Sequence, residues 1–261
     1  MKFILINKFL RKGLIPIIDL QSFGNAFNGF NAYKTRGNPW EFFFYQPFGY
    51  TLNNIIKYST KIQYFECETN IFRPDEKIFF EQKFHNFWHI ISKNYLSIKN
   101  KILLEAQIIY KRLFKDSHNI LGILMRGTDY ISRKPFGHPI PPNSSMVFKD
   151  IKELNLKNNY DWFFISTEDD IIRDIFIKEF GCKLKYFFFK KINYNYKNKE
   201  VLLYNKNLRG NLKYSKIYLI NMIILSKCLD ILSANTSGAI GVFIISNGFR
   251  YSKVYNLGYY S

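Results

Sequence analysis

A short apolar run that leads directly into an arginine is the first candidate for chemistry in this chain. The apolar residues 121–125 are followed at once by Arg126, Gly127, Thr128 and Asp129. In an open α/β sheet, ligands bind where the carboxyl ends of parallel strands open onto loops. An arginine there presents a planar, always-charged fork suited to a phosphate or pyrophosphate, and the glycine lets a ligand approach the backbone. The alternative is a strand-end arginine that pairs with Asp129 on the surface.

A turn of small residues is the second candidate. Residues 230–233 predict a strand, and Asn235, Thr236, Ser237 and Gly238 then lead into a predicted helix. The start of a helix offers unpaired N–H groups and a partial positive charge, and two hydroxyls add donors. The pattern predicts a phosphate seat, and an ordinary helix cap is the alternative. It is neither a Walker loop nor a complete Gly-x-Gly-x-x-Gly pattern.

Acidic residues follow a third predicted strand. Thr167, Glu168 and Asp169 come directly after residues 162–166, on the edge of the sheet shared by the first two candidates. Their carboxylates suit hydrogen bonds from a nucleobase or a ribose. Capping of the next helix by Thr167, with acids in its first turn, is the alternative, and both interpretations can hold together.

Other polar residues give weaker signals. Glu41, after Trp40, is a candidate catalytic base, with a buried and paired carboxylate as the alternative. His138 lies in a proline-rich loop, where a lone histidine is more often structural. His85 and His89 stand four residues apart on a predicted helix but lack the acid of a metalloprotease motif. We therefore predict no metal site.

The positioning elements are predicted from hydrophobic periodicity. Residues 120–258 alternate between strands and helices, which indicates βαβ units and a parallel sheet. The predicted strands are 120–126, 162–166, 184–189, 230–233 and 253–257, and the helices are 144–157, 168–180, 213–228 and one that ends at about 246. Before them, we predict strands at 14–19, 40–45 and 62–66 and two helices within 75–114.

The composition narrows the class of protein. The chain has 261 residues, of which 38 are Lys or Arg and 20 are Asp or Glu, a net charge of +18. Such a field attracts nucleic acid, anionic lipid or a phosphorylated ligand. The excess of Lys, Asn, Ile, Phe and Tyr also fits an AT-rich coding sequence, which favours these codons whatever the function. The positive charge is therefore weak evidence for any particular partner. Basic and aromatic residues are dispersed rather than clustered, which argues against nucleic acid.

Cysteine usage and hydropathy bear on location. The three cysteines are far apart and fit neither a disulfide framework nor a metal site. No apolar run approaches the ~20 residues of a membrane span. We expect a cytoplasmic protein, with peripheral contact to an anionic membrane at its inner face left open.

Three segments resemble motifs of the fucosyltransferase superfamily, in the same order and at similar spacing. Residues 124–129 (LMRGTD) resemble the first motif, of the type His-Val-Arg-Arg-Thr-Asp or His-Val-Arg-Gly-Asp. Residues 165–169 (ISTED) resemble a segment of the type Ala-Thr-Asp-Asp. Residues 225–238 (LSKCLDILSANTSG) resemble the third, a Leu-Ser-x-Cys-Asp helix and strand that ends in Ser-Ser or Thr-Ser. Residues 13–19 and 40–47 also resemble segments of bacterial surface-polysaccharide members.

The resemblance implies a GT-B glycosyltransferase with two Rossmann-like halves. The N-terminal acceptor-side half, 1–105, is expected to be shortened and incomplete, and 106–261 is expected to bind the nucleotide sugar. The resemblance implies inverting transfer without a metal or cofactor, from a donor such as GDP-fucose. The acceptor would be a surface glycan (O-antigen, capsule or exopolysaccharide) or a lipid-linked oligosaccharide. An inactive nucleotide-sugar or glycan-binding homologue and a basic nucleic-acid-binding protein are the alternatives.

The resemblance also assigns roles to residues. Arg126 matches the arginine that holds the diphosphate, and Thr236 and Ser237 match hydroxyls that bind the same group. Glu168 and Asp169 match acids near the base and ribose. The chain departs from the motif at two positions, since Leu124 replaces the usual histidine and Gly127 the second arginine. The identity of the nucleobase and of the sugar is therefore open.

Overall fold

A five-stranded parallel sheet forms the centre of the described structure. The computed structural model describes residues 17–19, 38–58, 76–127, 129–187 and 212–261. The strands are β1 (Ile120–Leu124), β2 (Trp162–Ser166), β3 (Leu184–Tyr186), β4 (Asp230–Ala234) and β5 (Tyr251–Tyr255). Their order is β3-β2-β1-β4-β5, and every neighbouring pair is parallel. The predicted α/β fold with a parallel sheet is confirmed.

Helices cover both faces of this sheet. Those of the described residues are α1 (Trp40–Phe43), α2 (Leu52–Tyr58), α3 (Lys77–Phe80), α4 (Gln82–Tyr95), α5 (Asn100–Phe114), α6 (Asp129–Ser132), α7 (Ser144–Asn158), α8 (Asp170–Phe180), α9 (Leu212–Leu225) and α10 (Ser237–Ile245). The predicted helices between 144 and 246 are confirmed with small shifts at their ends. Asn143 caps α7, because its side chain accepts a hydrogen bond from the Met146 N–H at 2.9 Å.

The burial of β1 explains why the sequence forms a two-sided core. All five of its residues are buried, and successive side chains of a strand point to opposite faces. Ile120 and Leu124 pack with α4, α5, α9 and α10. Leu121 and Ile123 pack on the other face with α7 and α8. A strand buried on both faces reads as an unbroken apolar run, which is the pattern that predicted it.

The strand order creates a switch point between β1 and β4. From β1, the chain proceeds to β2 and β3 on one side, and then crosses to β4 and β5 on the other. The loops after β1 and β4 therefore leave the sheet in diverging directions and open a crevice. In doubly wound folds, ligands bind in such a crevice, outside the carboxyl ends of the strands.

The prediction of a strand at 40–45 is wrong, because residues Trp40–Phe43 form the short helix α1. The side chain of Asn38 accepts a hydrogen bond from the Trp40 N–H at 3.2 Å, and Asn-Pro favours the start of a turn. The aromatic run that follows imitates a strand in the sequence. The strand predicted at 62–66 lies outside the described residues. Of the strand predicted at 14–19, residues 17–19 are described, and they form no strand.

The predicted domain boundary between residues 105 and 106 stays a prediction. It falls inside α5, whose buried residues Ile102 and Ala106 pack into one core with β1. All named strands of the described residues belong to the one sheet, so a second parallel sheet in the first half stays a prediction. No helix among the described residues combines the length and the hydropathy that a membrane span needs.

Candidate functional site

Three loops open at the same edge of the sheet. Leu124, the last residue of β1, is in register with Ser166 at the end of β2 and with Ser233 near the end of β4. The residues that follow these strands therefore start at one level. Arg126 follows β1, Glu168 follows β2 and Gly238 follows β4. The structure thus brings the three predicted loops to one rim, beside the switch point.

Arg126 forms an ion pair across two of these loops. Its Nη1 lies 2.6 Å from Glu168 Oε1 and 2.8 Å from Glu168 Oε2. The side chains of Arg126 and Glu168 are 23% and 15% exposed, respectively. The ion pair is therefore partly buried but still accessible to solvent. The guanidinium carbon also lies 4.7 Å from the centre of the Tyr130 ring, on α6, a cation–π contact. The guanidinium is therefore held from two sides at the end of β1.

The close approach predicted at Gly127 is made by a side chain of the protein. A Cβ on Gly127 would lie 2.7 Å from the Cγ of Asp169, so only glycine fits here without displacing that carboxylate. Asp169 is itself the cap of α8, because its Oδ1 accepts from the N–H groups of Ile171 (2.9 Å) and Ile172 (3.2 Å). The predicted cap, Thr167, instead accepts a hydrogen bond from the Asp169 N–H at 3.1 Å.

The turn after β4 divides into a structural part and an accessible part. Thr236 is buried and caps α10, since its Oγ1 accepts from the Ala239 N–H at 3.2 Å. Asn235 is buried as well, and its Nδ2 donates to Glu76 Oε2 at 3.0 Å and to the Tyr259 hydroxyl at 3.2 Å. Ser237, in contrast, is exposed. The beginning of α10 therefore presents Ser237 and the half-buried Gly238 outward.

Tyr218, on α9, joins the arginine to the start of α10. A Cβ on Gly238 would overlap the Tyr218 hydroxyl, so that hydroxyl packs against the glycine backbone. The pKa of Tyr218 is raised, mainly by desolvation of the hydroxyl; nearby Arg126 opposes the shift, and Glu168 and Tyr130 add to it. Its ring is still 44% exposed. Tyr218 thus contributes a protonated hydroxyl at neutral pH, beside the guanidinium.

Tyr218 is not among the predicted site residues, because no local pattern in the sequence singles it out. It belongs to a helix with little amphipathic character, in which Ile217 and Ile220 on either side are buried. A tyrosine in such a run is indistinguishable from core. Its place near Arg126 depends on how α9 packs against β1 and β2, which is a long-range property.

Other predicted site residues lie elsewhere or outside the described residues. Thr128 is outside them, and so is the side chain of Asp129, the first residue of α6. Glu41 Oε1 accepts from Gln46 Nε2 at 2.9 Å and from the Leu52 N–H at 2.7 Å. These contacts join α1 to the start of α2, which is the paired-carboxylate alternative. They give no support to a catalytic base.

The histidines have structural contacts. His85 Nε2 lies 2.9 Å from the Phe243 carbonyl oxygen, and His89 Nδ1 lies 3.2 Å from that of Ile244. Both carbonyls belong to the last turn of α10, where unpaired carbonyls need donors. The ring of His138 packs edge-on against Tyr130, with centroids 5.4 Å apart. Across the described ranges, no group of three or more His, Cys, Asp or Glu residues is arranged to hold a metal ion.

The geometry defines an α/β chain of doubly wound strand order, with the Arg126–Glu168 ion pair and hydrogen-bond donors beside its switch point. A comparison with protein-family models finds no match, and a comparison with curated proteins finds none either. Among solved structures, the chain is similar to NodZ α-1,6-fucosyltransferase soaked with GDP-fucose. The identity is 14%, the match covers 67% of this chain and 61% of that chain, and the TM-score is 0.42.

Two further structures give similar values. POFUT1 in complex with GDP matches at 10% identity, covering 67% of this chain and 52% of that chain, with a TM-score of 0.42. The fucosyltransferase NodZ from Bradyrhizobium matches at 15% identity, over 67% and 60%, with a TM-score of 0.38. The chain therefore spans 52–61% of the length of these three proteins. At such identities and scores, the likeness says nothing about substrate or activity.

Proposed function

We propose that this chain is an inverting glycosyltransferase of the fucosyltransferase type, which moves a sugar from a nucleoside diphosphate to a glycan hydroxyl. The observation that carries the proposal is the convergence of Arg126, the Tyr218 hydroxyl and the start of α10 at the switch point. The three motifs in order support it. GDP-fucose, with which one of the similar structures was soaked, is the first donor to test.

The diphosphate is the part of the donor that this crevice suits. Arg126 supplies a fork for phosphate oxygens, Tyr218 an O–H donor, and the first turn of α10 N–H groups with a partial positive charge. Glu168 fixes the guanidinium through Nη1. Because the carboxylate of Asp169 is engaged in capping α8, Glu168 is the better acceptor for a hydroxyl of the donor ribose.

In the proposed reaction, an oxygen of the acceptor hydroxyl forms a bond to the anomeric carbon from the face opposite the diphosphate. The bond from that carbon to the diphosphate breaks, and the hydroxyl proton passes to a base. The transition state has oxocarbenium character, as in other sugar transfers. Negative charge grows on the departing diphosphate, where preorganised donors lower the barrier. No metal or cofactor is part of this proposal.

The base and the acceptor rest on the sequence alone. Glu41 stays a proposal as base, although its carboxylate contacts favour a structural role. A surface glycan such as O-antigen, capsule or exopolysaccharide, or a lipid-linked oligosaccharide, stays the proposed acceptor. Contact with an anionic membrane at the cytoplasmic face also stays a proposal.

A screen of nucleotides and donors tests the proposed function. Calorimetry with GDP, UDP and CMP comes first, followed by release of the sugar from the matching nucleotide sugar. We expect GDP to bind and GDP-fucose to be turned over, and turnover to increase when an acceptor is added. Binding without turnover would favour the inactive homologue. No nucleotide binding, together with salt-dependent binding of nucleic acid, would favour the basic nucleic-acid-binding protein.

A further inference from the structure

A cavity of about 390 Å³ lies between α1, the start of α5 and the start of α9. Part of its wall is apolar and includes Phe43 and Ile102. The charged residues that line it are Lys99, Lys101, Lys213, Lys216, Glu41 and Glu105. The cavity therefore combines four cationic side chains with two carboxylates and an apolar wall. We call it the lysine cavity.

The two carboxylates of the lysine cavity have protein partners. Glu105 Oε2 accepts from Lys216 Nζ at 2.9 Å, so this pair is internally neutralised. Glu41 Oε1 is engaged by Gln46 and Leu52. Lys99 lies 5.9 Å from the ring centre of Tyr45. Within the described ranges, no carboxylate lies within ion-pair distance of Lys99 or Lys101, so positive charge prevails at the start of α5.

The lysines stand where the helices disfavour them. A helix start carries a partial positive charge, and acidic residues stabilise it. The start of α8 follows this rule, with Asp169 as its cap and Asp170 in its first turn. The first turns of α5 and α9 contain no acidic residue. Lys101 lies in the first turn of α5 and adds like charge to that helix start, which an external anion would offset.

The lysine cavity lies at the ligand edge of the sheet. A short link joins the end of α5 to the start of β1, and another joins the end of α9 to the start of β4. The starts of both helices therefore point towards the edge that holds Arg126. Helix α9 also carries Tyr218, and five residues separate it from Lys213, or roughly 8 Å along a helix. A ligand in the cavity would thus neighbour the crevice.

We propose that the lysine cavity binds an anionic group of the acceptor, a phosphate or a carboxylate. That the anionic ligand is the acceptor rests on the proposed function, whereas the anion site itself does not. The lysines neutralise the anion, the start of α5 adds N–H groups, and the apolar wall takes the part of the molecule next to it. The acceptor is then anchored beside the sugar donor, with its hydroxyl directed to the neighbouring crevice.

Calorimetry of the full chain tests the proposal. Sodium pyrophosphate and sodium glucuronate are the probes, and they distinguish a phosphate site from a carboxylate site. Arg126→Ala is the background, so that pyrophosphate in the crevice does not confuse the result. The test variant adds Lys99→Gln and Lys101→Gln, the two lysines of the cavity that have no carboxylate of the described residues within ion-pair distance. The matched control adds Lys83→Gln and Lys149→Gln, two lysines with side chains 80% and 78% exposed, so that both variants lose two charges.

We expect at least one probe to bind the Arg126→Ala background. The test variant should bind it about tenfold or more weakly, because each hydrogen bond to a charged group is lost with its lysine. The control should stay within about twofold. Equal weakening in both variants, or no binding of either probe to the background, would overturn the proposal. Wild-type protein saturated with GDP replaces the background if Arg126→Ala does not fold.

The proposed transferase function and the anion site can fail independently of each other. If wild-type protein binds no nucleotide but the lysine-dependent anion site is present, the proposed transferase activity fails and the site stands. In that case the titration is made on wild-type protein alone. If nucleotide binds and the two double variants behave alike, the transferase proposal stands and the cavity does not serve as the anchor.

Discussion

The two edges of the sheet use charge in opposite ways, and β4 shows both. At its first residue, Asp230 is fully buried and accepts hydrogen bonds from the Tyr160 hydroxyl, from Arg250 and from the Tyr251 N–H. The Tyr160 hydroxyl is buried against that carboxylate, which raises its pKa. The carboxylate of Asp230 is therefore enclosed by protein donors, although the side chain of Arg250 is itself 46% exposed.

At the other edge, charge lies next to open space. The Arg126–Glu168 pair is partly exposed, the ring of Tyr218 reaches solvent, and α10 begins with exposed Ser237. When one partner of a buried charge is removed, the remaining charge is left unpaired and destabilises the fold. A reachable charge at the carboxyl ends of parallel strands can bind a ligand. The comparison therefore assigns stability to one edge and binding to the other.

Arg126→Ala should have the largest effect. Loss of one preorganised donor to a leaving group raises the barrier by ~3 kcal/mol, about a hundredfold or more in rate. Arg126→Lys should stay poor because the fork is lost. Arg112→Ala, at an exposed position of α5, is the control. Near-normal transfer of fucose by Arg126→Ala would remove the arginine from the mechanism.

Asp230→Asn should affect stability and leave the binding edge intact. Replacing the buried carboxylate breaks its pairing with Arg250 and should cost about 2–4 kcal/mol of unfolding free energy. Urea denaturation measures it, with Asp174→Asn as the control, because the side chain of Asp174 is 67% exposed. A similar loss in both variants would show that the Asp230 network has no special role.

Tyr218→Phe and Tyr160→Phe remove one hydroxyl from each edge. We expect Tyr218→Phe to slow transfer by roughly tenfold, since one donor to the diphosphate is lost. Tyr160→Phe should lower stability by about 1–2 kcal/mol, because Asp230 loses a donor, with little change in rate. The comparison of the two edges breaks down if Tyr160→Phe slows transfer more than Tyr218→Phe does.

Gly238→Ala tests the contact between α10 and Tyr218. The new Cβ would overlap the Tyr218 hydroxyl, so the ring must turn away, and we expect a several-fold slower transfer. In the background of Tyr218→Phe, the same substitution should cost less, because the hydroxyl is absent. A double-mutant cycle measures this coupling, and strictly additive effects would argue against the contact.

Glu41→Gln should have the smallest effect. Its Oε1 accepts two hydrogen bonds, and an amide oxygen can replace it in both. We expect transfer within about threefold of wild type, in contrast to the ~100-fold or greater loss expected when a general base is removed. A rate loss of the larger size, with unchanged stability, would restore Glu41 as the base.

Much of the fold was predictable because local patterns agree with its tertiary structure. The buried strands β1 and β2 read as apolar runs, and Asn143 and Gly181 mark the start of α7 and the end of α8. The helix α1 was mistaken for a strand, because four consecutive aromatic residues imitate one. The domain boundary stays a prediction, and nothing in the local sequence shows that α5 packs continuously into the core.

The site was predictable only in part. The motifs predicted that the loops with Arg126, Glu168 and Gly238 lie at one edge of the sheet. The parallel register places the ends of their strands at that edge. The pairing of Arg126 with Glu168 and the contact of Tyr218 with Gly238 are made between residues distant in sequence. The role predicted for Gly127 stays a prediction, and the close contact of its backbone with the Asp169 side chain was not predicted. Such contacts follow from packing, which residue spacing does not encode.

The central claim is that the edge with Arg126, and not the edge with Asp230, binds the diphosphate of a nucleotide. Calorimetric titration of GDP into wild type, Arg126→Ala and Asp230→Asn, at a temperature where all three are folded, tests it most directly. We predict that Arg126→Ala binds GDP at least ~10-fold more weakly, through loss of a charged hydrogen-bond donor, while Asp230→Asn matches wild type. Equal GDP affinity in wild type and Arg126→Ala would contradict the claim.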